Sequence, residues 1–111
     1  MKLLTQEIKQ RTPALYYNEV NKTPTQDMIV HVRYFCPWNT WVWLGLEFDP
    51  DEGLFYGYVI GHYAEFGYFA LAELESVRGP MGLRIERDTS FSPQPLWQAA
   101  PEYFSKSGGA Q

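Results

Sequence analysis

The sequence predicts an α+β fold, in which a small antiparallel sheet of about four or five strands is packed with a short N-terminal helix and one short internal helix. Three observations lead to this prediction. From residue 28 onward, short apolar segments alternate with turn sequences, as in β-strands. Only two segments carry helix start or stop signals, and both are short. The length of 111 residues suits one domain with one core.

The two helices are predicted from their boundary residues. The N-terminal helix is expected over residues 6–10, because Thr5 is a suitable N-cap and Pro13 ends the helical region. The internal helix is expected over residues 72–78, since Gly79, followed by a proline, closes it. Neither helix is long enough to be stable alone, so both are expected to dock on the sheet.

Five segments are predicted as strands: residues 28–35, 40–48, 54–61, 65–71 and 83–88. The second of them reads as a central strand, because both of its faces are largely apolar. Strict alternation divides it into two faces: Val42, Leu44, Leu46 and Phe48 on one, and Trp41, Trp43, Gly45 and Glu47 on the other. The last segment, rich in charged residues, reads as an edge strand.

Residues 1–98 are predicted to form a single globular domain, and residues 99–111 a flexible C-terminal tail. The formal net charge of −4 opposes the electrostatic binding that holds most proteins to nucleic acids or anionic lipids. Cys36 is the only cysteine, so no internal disulfide and no cysteine-based zinc cluster can form within one chain. Without a signal peptide or a long apolar run, the chain is expected to be cytoplasmic and free of membranes.

Several short motifs follow one another in the order found in one bacterial family. They are Phe35-Cys36-Pro37-Trp38, Trp41-Val42-Trp43 and Glu47-Phe48-Asp49, and then residues 65–69, 73–80, 82–83 and 85–88. With these motifs the chain resembles, from residue 2 to about residue 96, a small bacterial family catalogued as a domain of unknown function, number 2958. The resemblance implies a setting on plasmids, phages or other mobile elements, and it implies no catalytic residue.

One set of candidate binding residues is aromatic: Trp38, Trp41, Trp43, Tyr56 and Tyr58. On one face of a sheet they would form an aromatic platform. Three interpretations remain open for this platform. Its members can pair across strands in the core, contact a protein partner, for which Trp and Tyr are favoured anchors, or stack the bases of single-stranded nucleic acid. The excess of acidic residues argues against the third.

Two arginines complete the candidate partner-binding residues. Arg78 and Arg87 lie in a charge-dense segment around the predicted turn at Gly79. An arginine there can fix the turn by bonding carbonyls or carboxylates, or it can grip an anionic ligand or partner. Both roles remain open from the sequence.

A second candidate site contains carboxylates and a histidine. Glu47, Asp49, Asp51 and Glu52 surround the predicted hairpin loop, and His62 lies three residues before Glu65. Such groups can bind a divalent cation or act as a general base, although a solvated acidic turn is the favoured explanation of the first set. Cys36 lies between Phe35 and Pro37, which indicates a buried thiol.

The sequence therefore favours a non-enzymatic accessory protein of plasmids or phages that binds a macromolecular partner, in the first place a protein. No catalytic residue, metal ligand set or cofactor is assigned, and the chain is expected to be a monomer or a homodimer. The first alternative is a small metal-dependent enzyme or ligand-binding domain that uses His62, Glu65 and the acidic hairpin. The second is a single-stranded nucleic-acid binder that uses the tryptophan face.

Overall fold

A computed structural model describes residues 1–106 of the chain. Its elements in chain order are α1 (Gln6–Arg11), α2 (Tyr17–Val20), β1 (Ile29–Val30), β2 (Val32–Phe35), β3 (Val42–Asp49), β4 (Leu54–Ile60), β5 (Ala64–Ala70), α3 (Leu71–Ser76), β6 (Glu86–Arg87), β7 (Gln94–Pro95) and α4 (Leu96–Ala99), with 3-10 turns at Thr25–Asp27 and Pro80–Gly82. Within these residues, a five-stranded antiparallel sheet has the order β5-β4-β3-β2-β6, and β1 pairs with β7 in a second, two-stranded sheet. The predicted α+β class is confirmed.

The predicted N-cap of α1 is confirmed, whereas the predicted end of the internal helix is not. The Thr5 hydroxyl accepts a 3.2 Å hydrogen bond from the backbone N–H of Ile8 and so caps α1, whose Ile8 is buried. At α3 the Glu73 carboxylate accepts a bond from the N–H of Ala70. The internal helix was expected over residues 72–78 and closed by Gly79. That expectation is wrong at the C-terminus, because Val77 is already extended.

The first predicted strand, residues 28–35, is not continuous. It breaks at His31 into β1 and β2. Buried and more exposed residues alternate through the break, but Val30 belongs to one core and Val32 to the other. The predicted edge strand over residues 83–88 is reduced to β6, which pairs with β2.

A β-bulge divides β3 into two halves. Gly45 is paired with Gly57, but the next pair joins Glu47 to Tyr56, so Leu46 is the extra residue. After the bulge, each residue of β3 lies on the face opposite to the one that strict alternation assigns to it. Phe48 therefore packs in the core that contains Trp43 and not with Leu44, which corrects the prediction from strict alternation. Burial from Leu44 to Phe48 agrees with the predicted central position.

The two faces of the large sheet cover separate cores. The first core is closed by α1 and α3, and its buried members are Leu3, Ile8, Val32, Tyr34, Cys36, Phe48, Phe55, Phe69, Leu74 and Ile85. The second core lies on the opposite face under β1 and α4, and its buried members are Val30, Leu44, Leu46, Tyr58, Leu96 and Ala100.

The C-terminal part of the described chain contacts the second core. The ring of Phe104 lies 4.9 Å from the ring of Tyr58, measured between centroids. This contact lies within the segment predicted as a flexible tail, residues 99–111. Residues 107–111 of that segment lie outside the described residues. None of the helices in residues 1–106 is long and apolar enough to cross a membrane.

Candidate functional site

Glu47 is a buried carboxylate in the middle of the sheet. It is only 3% exposed, and its neighbours in the strand, Leu46 and Phe48, are apolar. One carboxylate oxygen accepts a 2.8 Å bond from the backbone N–H of Tyr16. The other accepts bonds of 2.9 and 2.8 Å from the backbone N–H and the side-chain amide of Asn18. Three donors thus compensate the desolvation of the charge, which would otherwise be strongly unfavourable.

These bonds attach α2 to the sheet. A single helical turn is unstable on its own, and apolar burial does little for this one, since Asn18 is its only buried residue. Tyr16, Tyr17 and Val20 are instead 57%, 50% and 76% exposed. The helix is therefore held by polar contacts that leave its apolar side chains in solvent.

The residue that enters α2 has a strained backbone. Tyr16 has φ 73° and ψ 3°, in the left-handed region. That conformation costs a residue other than glycine about 1 kcal/mol or more, and it persists where surrounding contacts impose it. Here the bond from its N–H to Glu47 is such a contact. Strain of this kind is concentrated at functional sites.

Two further tyrosines lie beside α2 on the face of the second core. Tyr56 is paired with Glu47 in the β3–β4 register, and its ring centroid is 5.1 Å from that of Tyr68 on β5. We name the tyrosine surface by its members: Tyr16, Tyr17, Val20, Tyr56 and Tyr68. Three of its members, Tyr16, Tyr56 and Tyr68, line a groove of about 410 Å³ together with Asn18, Glu19, Lys22, Thr23, Met28 and Glu47.

The phenols of Tyr56 and Tyr68 stay protonated near neutral pH. Burial, and then the charge of Glu47, raise the pKa of Tyr56. A side-chain hydrogen bond with Tyr16 raises the pKa of Tyr68, and burial and the Glu47 charge add to it. Neutral phenols donate as well as accept hydrogen bonds, so the groove offers donors to a partner.

A second cavity, of about 460 Å³, lies on the other side of α2 and is lined in part by Tyr17, Asn18 and Thr23. Arg11 and His31 line it, and Arg11 donates a 2.6 Å bond to the carbonyl of His31. Burial, followed by the Arg11 charge, lowers the pKa of His31 to about 4. Arg11 Nε and His31 Nδ1 are buried and have no hydrogen-bond partner within residues 1–106.

The predicted aromatic platform is divided between the two faces. The three tryptophans pack against the first core, whereas Tyr56 and Tyr58 belong to the second. The register explains the division, because Tyr58 is opposite Leu44 while Trp43 is opposite Val59. Residues directly opposite in a pair share a face. Of the two tyrosines, Tyr56 joins the tyrosine surface, and Tyr58 is buried under Phe104.

The rings of two tryptophans pack directly against the backbone of a glycine. A Cβ added to Gly79 would be 2.5 Å from the Trp38 ring, and one added to Gly61 would be 2.5 Å from the Trp41 ring. Both distances are far below van der Waals contact, so these rings require glycine beneath them. Trp41 also contacts Trp43 at 5.8 Å and His62 at 5.4 Å between ring centroids.

The two arginines that are candidate partner-binding residues donate hydrogen bonds to backbone carbonyls. Arg87 Nε bonds to the carbonyl of Lys2 at 2.9 Å and fixes the N-terminal segment at the edge strand. Arg78 Nη1 bonds to the carbonyls of Glu75 and Val77 at 2.8 and 3.0 Å. These bonds support the structural interpretation of both residues, and a partner-binding role stays a prediction.

An ion pair that was not predicted joins Arg33 to Asp88 at 3.1 Å. Burial alone would raise the pKa of Asp88. Hydrogen bonds from Ser90 and the charge of Arg33 outweigh burial, and the pKa lies below its usual range.

The parts of the predicted metal site are far apart. The acidic hairpin precedes β4, whereas His62 and Glu65 follow it, and seven residues of strand separate them by about 20 Å. In the hairpin, one oxygen of Asp49 accepts the N–H groups of Asp51 and Glu52, as in an ordinary turn. Within residues 1–106 no group of three or more His, Cys, Asp or Glu side chains is arranged to hold a metal ion.

The sequence profile of a family described as protein of unknown function (DUF2958) matches residues 3–102. The chain belongs to this family. The match extends from before α1 to beyond α4, so the DUF2958 domain includes Glu47, α2 and both sheets. No curated protein and no solved structure matches the chain.

The sequence did not predict the centre of this candidate site. Tyr16, Tyr17 and Asn18 precede the first predicted strand and were assigned no role. Glu47 was grouped with the acidic hairpin. One signal was available: a carboxylate inside an apolar central strand must have donors from elsewhere in the chain. The sequence did not show which donors these are.

Proposed function

We propose that this DUF2958 chain is a non-enzymatic accessory protein that binds another protein through the tyrosine surface. One observation carries the proposal. A buried carboxylate holds α2 in a strained conformation in which Tyr16, Tyr17 and Val20 face solvent. A chain that only needed to fold would gain free energy by burying these side chains. Ordered, exposed aromatic and apolar residues are typical of interaction sites.

The composition of the surface favours a protein partner. Tyrosine is enriched at protein interfaces, where its ring packs and its hydroxyl bonds. The charges around the groove, Glu19 and Lys22, are of opposite sign. Nucleic-acid binders instead neutralise phosphates with several cations. The tryptophan face, with Trp41 and Trp43 half-buried against the first core, supports stacking of nucleic-acid bases less well.

The cellular setting belongs to the same proposal. The family resemblance implies a mobile element, and a cytoplasmic location is supported by a chain whose one cysteine is free. The Cys36 thiol is buried, and burial raises its pKa, so it is poorly reactive.

Photo-crosslinking from two positions tests the proposal. A photoreactive phenylalanine analogue replaces Tyr17 in one variant and Tyr63 in the other. Tyr63 is 79% exposed at the far tip of the β4–β5 hairpin and is the matched control. In cells of a bacterial host, position 17 is expected to capture a defined protein that position 63 does not capture. The double variant Tyr17→Ala, Val20→Ser should lose that protein in a pull-down, whereas Tyr63→Ala should retain it.

Two results would contradict this function. One is identical cross-linked species from both positions, which would indicate non-specific contact. The other is a folded Tyr17→Ala, Val20→Ser variant that retains the same partner as the wild type. The metal-dependent alternative makes a different prediction, namely a higher melting temperature with millimolar magnesium, manganese, zinc or calcium.

A further inference from the structure

The strand β5 is an open edge of the large sheet. Its inner side pairs with β4 along all seven residues without a register shift. Within residues 1–106 no strand pairs with its outer side. The opposite edge strand, β6, has only two residues. Long regular edges are normally protected by charged side chains, proline or a bulge, and of these β5 has only the single charge of Glu65.

The hydrogen bonds that flank β5 show which main-chain groups are free. Gly61 N–H bonds to the Tyr63 carbonyl, and Leu71 N–H bonds to the Gly53 carbonyl. In an antiparallel ladder, hydrogen-bonded and non-hydrogen-bonded residue pairs alternate. The pairs Ile60–Ala64 and Leu54–Ala70 are next to these two bonds, so they are non-hydrogen-bonded pairs. By alternation, four residues of β5 direct their N–H and C=O groups outward: Ala64, Phe66, Tyr68 and Ala70. Of these groups, the Ala70 N–H is bonded to Glu73.

The residues of β5 are similar in type on either side of its central residue, except that Glu65 corresponds to Phe69. The strand reads Ala-Glu-Phe-Gly-Tyr-Phe-Ala, with Gly67 at the centre. An antiparallel pair related by a two-fold axis at Gly67 therefore aligns Phe66 with Tyr68 of the partner subunit and Ala64 with Ala70 of the partner subunit. Every residue with outward main-chain groups then has an outward partner. Registers shifted along the strand leave some of these groups unpaired.

We propose that this protein forms a homodimer in which β5 pairs antiparallel with β5 of a second copy, with the two-fold axis at Gly67. About six hydrogen bonds join the copies, because the Ala70 N–H remains with Glu73 in each of them. The two five-stranded sheets become one continuous sheet. The dimer does not depend on the function proposed for the tyrosine surface.

Side chains are compatible with this register. Gly67 is opposite Gly67 of the partner subunit in a non-hydrogen-bonded pair, where side chains approach most closely, and an added Cβ there meets nothing within 4 Å in one copy. Phe66 lies beside Tyr68 of the partner subunit, which gives an aromatic cross-strand pair on each side of the axis. Glu65 is opposite Phe69 of the partner subunit, so no like charges meet across the axis. The strand is therefore complementary to itself.

A cysteine at the axis tests the register. In Gly67→Cys the two Cα atoms are about 4.5 Å apart, within the range for a disulfide. In Tyr63→Cys they are about 25 Å apart in this register. Mild oxidation should therefore convert Gly67→Cys, but not Tyr63→Cys, into a covalent dimer. Cys36 is buried and common to both variants.

A charge at the axis tests the dimer itself. Gly67→Asp places two carboxylates opposite each other in the dimer and leaves one copy unstrained. Sedimentation should give a dimer for the wild type and a monomer for Gly67→Asp, with unchanged circular dichroism. A wild type that stays monomeric at high-micromolar concentration would overturn the proposal. Equal disulfide yields from Gly67→Cys and Tyr63→Cys would do so as well.

Discussion

The backbone N–H of Tyr16 donates a 2.8 Å hydrogen bond to the carboxylate of Glu47, 31 residues later in the chain. This bond joins a strained, exposed residue to a buried one in the middle of the sheet. Because Asn18 occupies the second oxygen of Glu47, the conformation of α2 depends on one side chain. The shape of the tyrosine surface is thus controlled from inside the protein.

Glu47→Gln should release α2. The amide keeps the volume but brings two N–H donors to a site that already contains three, so at least one donor loses its acceptor. We expect the free energy of unfolding to fall by about 2 kcal/mol and the amides of Tyr16 and Asn18 to exchange faster with deuterium. Glu52→Gln, an exposed change in the hairpin loop, is the control. Unchanged protection of the Asn18 amide would show that Glu47 does not anchor α2.

Tyr16→Gly should leave stability nearly unchanged. Glycine removes the cost of the left-handed conformation but increases the entropy of the unfolded chain, and the two effects offset each other to within about 0.5 kcal/mol. Tyr16→Val should lose about 1–2 kcal/mol, because a β-branched residue tolerates φ 73° poorly. Urea unfolding of both variants checks the prediction. Equal stabilities would mean that position 16 is not left-handed in solution.

Gly79→Ala should destabilise the protein through the Trp38 ring. The added Cβ would be 2.5 Å from the ring, so the indole must move. We expect a loss of about 1–3 kcal/mol and a shifted tryptophan fluorescence maximum. The double variant Gly79→Ala, Trp38→Leu supplies the control, since the smaller side chain leaves room for the methyl group. Additive effects of the two changes would argue against the contact.

His31 should make stability depend on pH between about 4 and 6.5. Its folded pKa is about 4 and its unfolded pKa about 6.5, so the unfolded chain binds more protons in this range. Stability is therefore complete above pH 6.5 and decreases as the pH falls towards 4. His31→Gln should flatten this part of the urea-midpoint profile. Val20→Ser, an exposed change that removes no titratable group, should leave the slope as in the wild type.

Local signals predicted α1 and the three long strands, but not α2, β7 or α4. The Thr5 cap placed α1, and alternation placed the large sheet within one or two residues for β3, β4 and β5. These features depend on near neighbours in the chain, which a single sequence displays. The fold class followed from them.

Long-range features were not predictable in the same way. The bulge at Leu46 needs knowledge of the partner strand, because one extra residue leaves the apolar character of β3 unchanged. The break at His31 likewise leaves the alternation of burial intact while the chain passes from one core to the other. The aromatic platform was misplaced because faces were assigned without the cross-strand register. The tyrosine surface was missed because its anchor is 31 residues away.

The bulge also restricts how the length of β3 can change. It inverts the parity of the strand halfway along, so that Trp43 and Phe48, an odd number of positions apart, face the same side. Deleting Leu46 would remove the extra residue and leave Glu47 opposite Tyr56 and Phe48 opposite Phe55, so both side chains would keep their faces. Deleting Phe48 would instead bring Asp49 opposite Phe55 and direct its carboxylate towards the apolar first core. Loss of one residue from β3 therefore leaves the faces intact at the bulge but not beyond it. The cost at the bulge is the buried Leu46 side chain of the second core.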